Sequence, residues 1–199
     1  MNYLAHAWLW PDDEQTLAGS LFGDFIHGPL PATMPPRLAL AIKVHRRVDR
    51  ETDAHPAIVA LREQMPPRFR RYAGIILDMG FDHVLARDFA QWHHEPLAAF
   101  AERVYRALER YRDWVPPQRQ LRIDYLVQQQ LLQRYQQQDA VIAALAGISR
   151  RLSRPNPLAE AGPLLISLDP ALTATAPPLF DYLRKLVSEL TAVEFIAVD

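Results

Sequence analysis

The chain has 199 residues, 49% of them hydrophobic and 23% charged, and contains no cysteine. That length suits one domain with a full core, and the missing thiols exclude disulfides, thiolate metal sites and cysteine nucleophiles. The net charge of -1 is unevenly placed: residues 1–36 carry four acids and no lysine or arginine, residues 155–199 sum to -4, and residues 37–154 to +7.

A basic middle suits an acidic partner or a phosphate. The alternative is a compositional preference for arginine, with 20 arginines against two lysines. The opening "MNYLAHAWLWP" is apolar but short, with no basic residue before it, so it does not read as a signal peptide. No apolar run approaches the ~18 residues of a membrane span. A soluble cytoplasmic protein is expected, with no membrane or nucleic-acid partner.

Helical signals dominate from there. "PDDEQTLAGSLFGDFIHG" begins with acids suited to a helix N-terminus and is expected to end at Gly28. "GPLPATMPP" reads as a loop. A helix from about Pro36 to Thr52 follows, then "HPAIVALREQM". Pro67 to about Phe89 is expected as one long helical segment. "EPLAAFAERVYRALERYRDW" is amphipathic, with Leu97, Phe100, Val104 and Leu108 on one stripe. Pro116 and Pro117 should open a helix running through "LRIDYLVQQQLLQRYQQQ", its glutamines an exposed face. Asp139 can cap "AVIAALAGISRRL", and further helices should follow Pro157 and Pro178. No alternating runs flanked by hairpin turns occur, so no sheet is expected. The fold class is all-α, a single compact multi-helix domain over 1–199.

The chemistry concentrates in a few stretches. In "VHRRVDRETDAHP", His45, Asp49 and Asp53 recur every four residues and share one helix face. Arg46, Arg47 and Arg50 flank them. This is either a solvated, salt-bridged face or half of a metal site acting on a phosphate. In "GIILDMGFDHVLA", Asp78 and Asp82 are four apart, with His83 adjacent, inside an apolar run. "SLFGDFIHG" places Asp24 in the same kind of setting, and "YLAHAWL" does so for His6. An unpaired carboxylate there is costly, and a metal ion can supply the missing charge. Singly, each residue has a plain structural explanation. Together they form the kind of His and carboxylate set that facing helices build around a metal. Such ligands suit manganese, iron, magnesium or zinc.

"MNYLAHAWL", "GSLFGDFIHG", "VHRRVDRETDAHP", "ILDMGFDHVLARDF" and "GISRRLSRPNPL" occur in this order and spacing in acyl carrier protein phosphodiesterases, which the chain resembles from Met1 to about Leu158. The resemblance implies an all-helical relative of the HD-type metal-dependent phosphohydrolases. It implies removal of 4'-phosphopantetheine from holo acyl carrier protein, with manganese favoured and magnesium, iron or zinc as alternatives. By the same likeness Asp24, His45, Asp49, Arg46 and Arg47 are the candidate catalytic residues. Asp24, His45, Asp49, Asp78, Asp82, His83 and His6 are the candidate metal ligands, and Asp53 matches the Thr-Asp motif that follows. Arg46 or Arg47 would reach the phosphate. Arg150, Arg151 and Arg154 are candidate docking residues for the acidic carrier protein. His27, Phe81 and the Asp88-Phe89 pair depart from the family pattern without touching the proposed ligands. The alternatives are an HD-type nucleotide or cyclic-nucleotide hydrolase and a non-enzymatic carrier-protein binder.

Overall fold

The computed structural model describes residues 1–10 and 13–196, with side chains to Ala192. Pro11 and Asp12 of the expected helix start lie outside the described residues, as do residues 197–199. The described chain is all-α, with no strand.

The helices in chain order are α1 (Tyr3–Trp8), α2 (Glu14–Phe22), α3 (Pro36–Ala54), α4 (Pro56–Gln64), α5 (Pro67–Arg70), α6 (Ala73–Arg87), α7 (Leu97–Tyr111), α8 (Pro117–Gln128), α9 (Leu131–Arg134), α10 (Gln138–Arg151) and α11 (Gly162–Ile196). Proline sets several starts. Pro35-Pro36, Pro66-Pro67 and Pro116-Pro117 each open a helix, the second proline in the first turn. There the missing N–H has no intrahelical partner to lose, and φ is already helical. Asp13 caps α2 by accepting from the Thr16 amide at 3.0 Å.

Several boundaries differ from the sequence reading. α2 ends at Phe22, and residues 23–28 form a turn that closes at Gly28, whose φ of +79° is the left-handed conformation suited to glycine. The expected helix over 67–89 breaks between α5 and α6. The run through the glutamines breaks at Gln130, which adopts φ +47° and starts α9. α10 starts after Gln137, so Asp139 sits in its first turn and is not its cap. Pro157 leads into a short 3-10 turn. Pro178 does not start a helix: with Pro170 and Pro177 it lies inside α11. Continuous burial of Leu165, Leu168, Leu172, Ala176, Leu179, Phe180 and Leu183 holds α11 together across the prolines.

α2 lies along α3, and Gly19 permits the approach: a Cβ there would meet the Leu38 carbonyl oxygen at 2.5 Å. α1 packs between α2 and α6, while α6 also meets α10 and α11. Phe22, Phe25, Phe81, Phe100 and Phe180 are fully buried at the centre, each contributing roughly 1.5–3 kcal/mol by burial. No described helix is long and apolar enough to cross a membrane.

Candidate metal centre

α1 is too short to hold itself, and α6 holds it. The buried Asp82 carboxylate accepts the amides of Leu4 and Ala5 at 2.8 and 2.9 Å. These are unpartnered N–H groups of a helix start, where negative charge is favoured. The anchored helix presents His6 to α3. The His6 and His45 rings stack with centroids 3.9 Å apart.

Both rings face Asp49. His6 Nε2 lies 2.9 Å from Asp49 Oδ1, and His45 Nε2 lies 3.2 Å from Asp49 Oδ2. The four-residue spacing read from the sequence therefore places His45 and Asp49 one turn apart in contact. Asp24, in the turn after α2, brings Oδ1 to 3.7 Å from His45 Nε2. The imidazoles are buried, at 2% exposure each, whereas Asp24 and Asp49 are each 41% exposed and border solvent.

Backbone groups fix the His45 ring. Its Nδ1 lies 2.6 Å from the Ser20 carbonyl oxygen. A carbonyl only accepts, so Nδ1 carries the proton and Nε2 is left facing the carboxylates. Gly23 lies against the other side of the ring: a Cβ there would fall 2.0 Å from His45 Cδ2.

The charges are strongly coupled. Burial and the neighbouring His45 push the His6 imidazole down to about 4, against the pull of Asp49. Burial would also lower His45, but Asp24 and Asp49 raise it to about 9. Burial opposes ionisation of Asp49 and Asp24, yet the hydrogen bonds and charge of the histidines hold both carboxyls below the usual range. At neutral pH the His6 imidazole of the stacked pair is thus neutral, while the metal-free His45 ring holds a proton that a bound cation would displace.

One ligand atom each from His6, His45 and Asp49 lies within 4.8 Å of the others. Two imidazole nitrogens and a carboxylate fit a divalent cation, and the Ser20 carbonyl supplies the outer hydrogen bond that orients such a ligand.

The remaining candidates are placed differently. Asp78 meets the Met1 ammonium at 2.8 Å, and that ammonium is 3.5 Å from Asp49. Asp82 is engaged with the α1 amides, and His83 Nδ1 lies 2.7 Å from the Tyr135 carbonyl oxygen. Asp53 is 3.6 Å from Arg62. Arg46 donates to the carbonyls of Gly28 and Ile26 at 3.0 and 2.8 Å, bracing the turn that carries Asp24. Arg47 pairs with Glu51 at 2.8 Å. Arg150, Arg151 and Arg154 are exposed. The sequence reading missed Ser20, Gly23 and the Met1 ammonium. Gly23, beside an acid in an apolar run, carried a usable signal of close approach. Ser20 acts through its carbonyl, which no side-chain pattern announces.

Tyr3 of α1 feels charges from both the centre and the helices α8 and α10. Burial and the Asp24 charge raise the Tyr3 phenol, while Arg122 and Arg151 oppose them. Two cavities, of about 250 and 400 Å³, share Leu9, Trp10 and Arg184 in their linings and include none of the cluster. The convergence of ligands, not cavity size, marks the site.

A family model described as acyl carrier protein phosphodiesterase matches residues 1–183. Similar curated proteins include the acyl carrier protein phosphodiesterases of Escherichia coli O6:H1, 35% identical over 164 residues, and of Salmonella agona, 33% identical over 161 residues. That of Enterobacter sp. (strain 638) is 32% identical over 161 residues. Each alignment covers 80% of this chain and 83% of the relative. No solved structure matches.

Proposed function

The chain belongs to the acyl carrier protein phosphodiesterase family, and we propose that the His6, His45 and Asp49 cluster is its reaction centre. The reaction is hydrolysis of the phosphodiester that joins 4'-phosphopantetheine to a serine of holo acyl carrier protein. The observation that supports this centre is the convergence of two buried imidazoles and a solvent-bordering carboxylate, with Asp24 at its edge.

His6, His45 and Asp49 would hold a divalent cation, manganese by the family resemblance, with magnesium, iron or zinc as alternatives. A cation held there acidifies water and offsets charge on phosphoryl oxygens. Asp24 lies outside the three-ligand set, is open to solvent and is held ionised by His45. It therefore suits the base that takes the proton of the attacking water. Water oxygen bonds to phosphorus, and the bond from phosphorus to the serine oxygen breaks. The serine oxygen takes up a proton, and phosphopantetheine keeps the phosphate. Ser20 and Gly23 set the His45 ring, while Arg46 holds the Asp24 turn in register. Histidine and aspartate ligands drawn from neighbouring helices support the HD-type kinship as part of the same proposal.

The test is mass spectrometry of holo acyl carrier protein incubated with the protein and manganese. Loss of the phosphopantetheine arm, abolished by chelation and restored by manganese, is expected. Full activity in exhaustively metal-stripped protein rejects the metal centre.

A further inference from the structure

Leu121 and Tyr125 stand one turn apart on the solvent side of α8 and are 73% and 52% exposed, whereas Ile123 and Leu126 on the opposite side are buried. Leu121 is the most exposed of the large hydrophobic residues described. Two large apolar side chains one turn apart on one exposed helix face offer surface that a partner can bury. Charge accompanies the pair. Arg122 is exposed beside it, and among the described residues no carboxylate pairs with Arg122, Arg150, Arg151 or Arg154. By contrast, Arg112 at the start of this region pairs with Asp124 at 3.0 Å.

This face borders the reaction centre. Arg119 of α8 donates to His27 Nε2 at 2.6 Å, three residues beyond Asp24 in the same turn. Arg122 of α8 and Arg151 of α10 both act on Tyr3, whose ring is 6.0 Å from that of Phe25, the residue after Asp24.

We propose that the solvent face of α8, formed by Leu121, Arg122 and Tyr125 and flanked by Arg151, is the seat of the carrier protein. It receives an acidic amphipathic helix of that protein. Apolar side chains of that helix cover Leu121 and Tyr125, and its carboxylates meet Arg122 and Arg151. The unpaired guanidiniums select an acidic partner, and the exposed pair requires an apolar ridge between the acids. This seating puts the phosphodiester on the Asp24 side of the cluster. The proposal rests on the reading that holo acyl carrier protein is the substrate, and it adds α8 to Arg150 and Arg151 at the end of α10 and Arg154 just beyond it, which were expected from sequence.

The test compares the parent with Leu121→Glu/Arg122→Glu, both changes at exposed positions. Binding of fluorescently labelled holo acyl carrier protein is measured by anisotropy at two salt concentrations, each chain also carrying Asp24→Asn to prevent turnover. KM and kcat are measured without Asp24→Asn, and thermal melts check the fold. Binding at least about tenfold weaker, with a flatter salt response, is expected for loss of a central apolar and charged contact. KM should rise while kcat stays within about threefold, because the reacting atoms are untouched. A parent that hydrolyses the carrier protein and a folded variant that binds it equally well overturn the α8 seat alone. A parent that neither binds nor hydrolyses it overturns the substrate reading as well. A parent dimer that the double variant converts to monomer assigns the face to a second copy of the chain and overturns the proposal.

Discussion

Gly23 and His45 touch so closely that the glycine's missing side chain is part of the candidate metal centre: a Cβ at Gly23 would lie 2.0 Å from His45 Cδ2. The ring is pinned on its other edge by Ser20, so it cannot simply retreat. Gly23→Ala should displace the imidazole and cost about 1–3 kcal/mol through overpacking. Turnover should fall by about 100-fold or more, the scale of a misplaced reacting group. Metal affinity by isothermal titration calorimetry should weaken in parallel. A variant that binds manganese as the parent does would show that the ring has room to move.

Asp24 and His45 are expected to separate chemistry from metal binding. Asp24→Asn should retain manganese within a few-fold but lose about 100-fold or more in kcat, as for removal of a positioned base. His45→Ala should lose the metal itself. Equal loss of metal in both variants would make Asp24 a ligand, and near-normal turnover of Asp24→Asn would remove it from the reaction.

Asp82 is predicted from its contacts to act on stability. Asp82→Asn keeps one acceptor facing the Leu4 and Ala5 amides and should cost about 1–3 kcal/mol; Asp82→Ala leaves both unmet and should cost more. Urea unfolding of metal-free protein checks this. If metal-free Asp82→Ala is as stable as the parent, the carboxylate does not anchor α1.

The two histidines should give metal-free protein a pH-dependent stability with opposing limbs. His45 is raised from 6.5 to about 9, so its contribution is complete below pH 6.5 and is lost as pH rises through about 9. His6 is lowered from 6.5 to about 4, so its contribution is complete above pH 6.5 and is lost as pH falls through about 4. Thermal melts across pH 4–9 should peak near 6.5. His45→Gln should reduce the alkaline decline, and His6→Gln the acid decline. A parent that melts at one temperature across the whole range contradicts this coupling.

Much of the molecule was legible in the sequence. Proline pairs at 35–36, 66–67 and 116–117 mark helix starts because a helix start has no use for the missing N–H. The spacing of His45 and Asp49 was enough to put them on one face, since that depends only on helix pitch. The same logic failed at Pro177-Pro178, where a buried stripe along α11 outweighs local preference. It also could not separate Asp49 from Asp53, which share the spacing. The difference is what lies opposite: His6 faces Asp49, whereas Arg62 of α4 approaches Asp53. Asp78 and Asp82 likewise look alike along the chain, and only the position of α1 gives Asp82 two amides to hold and leaves Asp78 with an ammonium. The sequence by itself determined which residues had to be explained, because charge in an apolar run is expensive wherever the chain goes. Tertiary structure alone decided what compensates each one, because the compensating group arrives from a distant segment whose approach no local periodicity encodes.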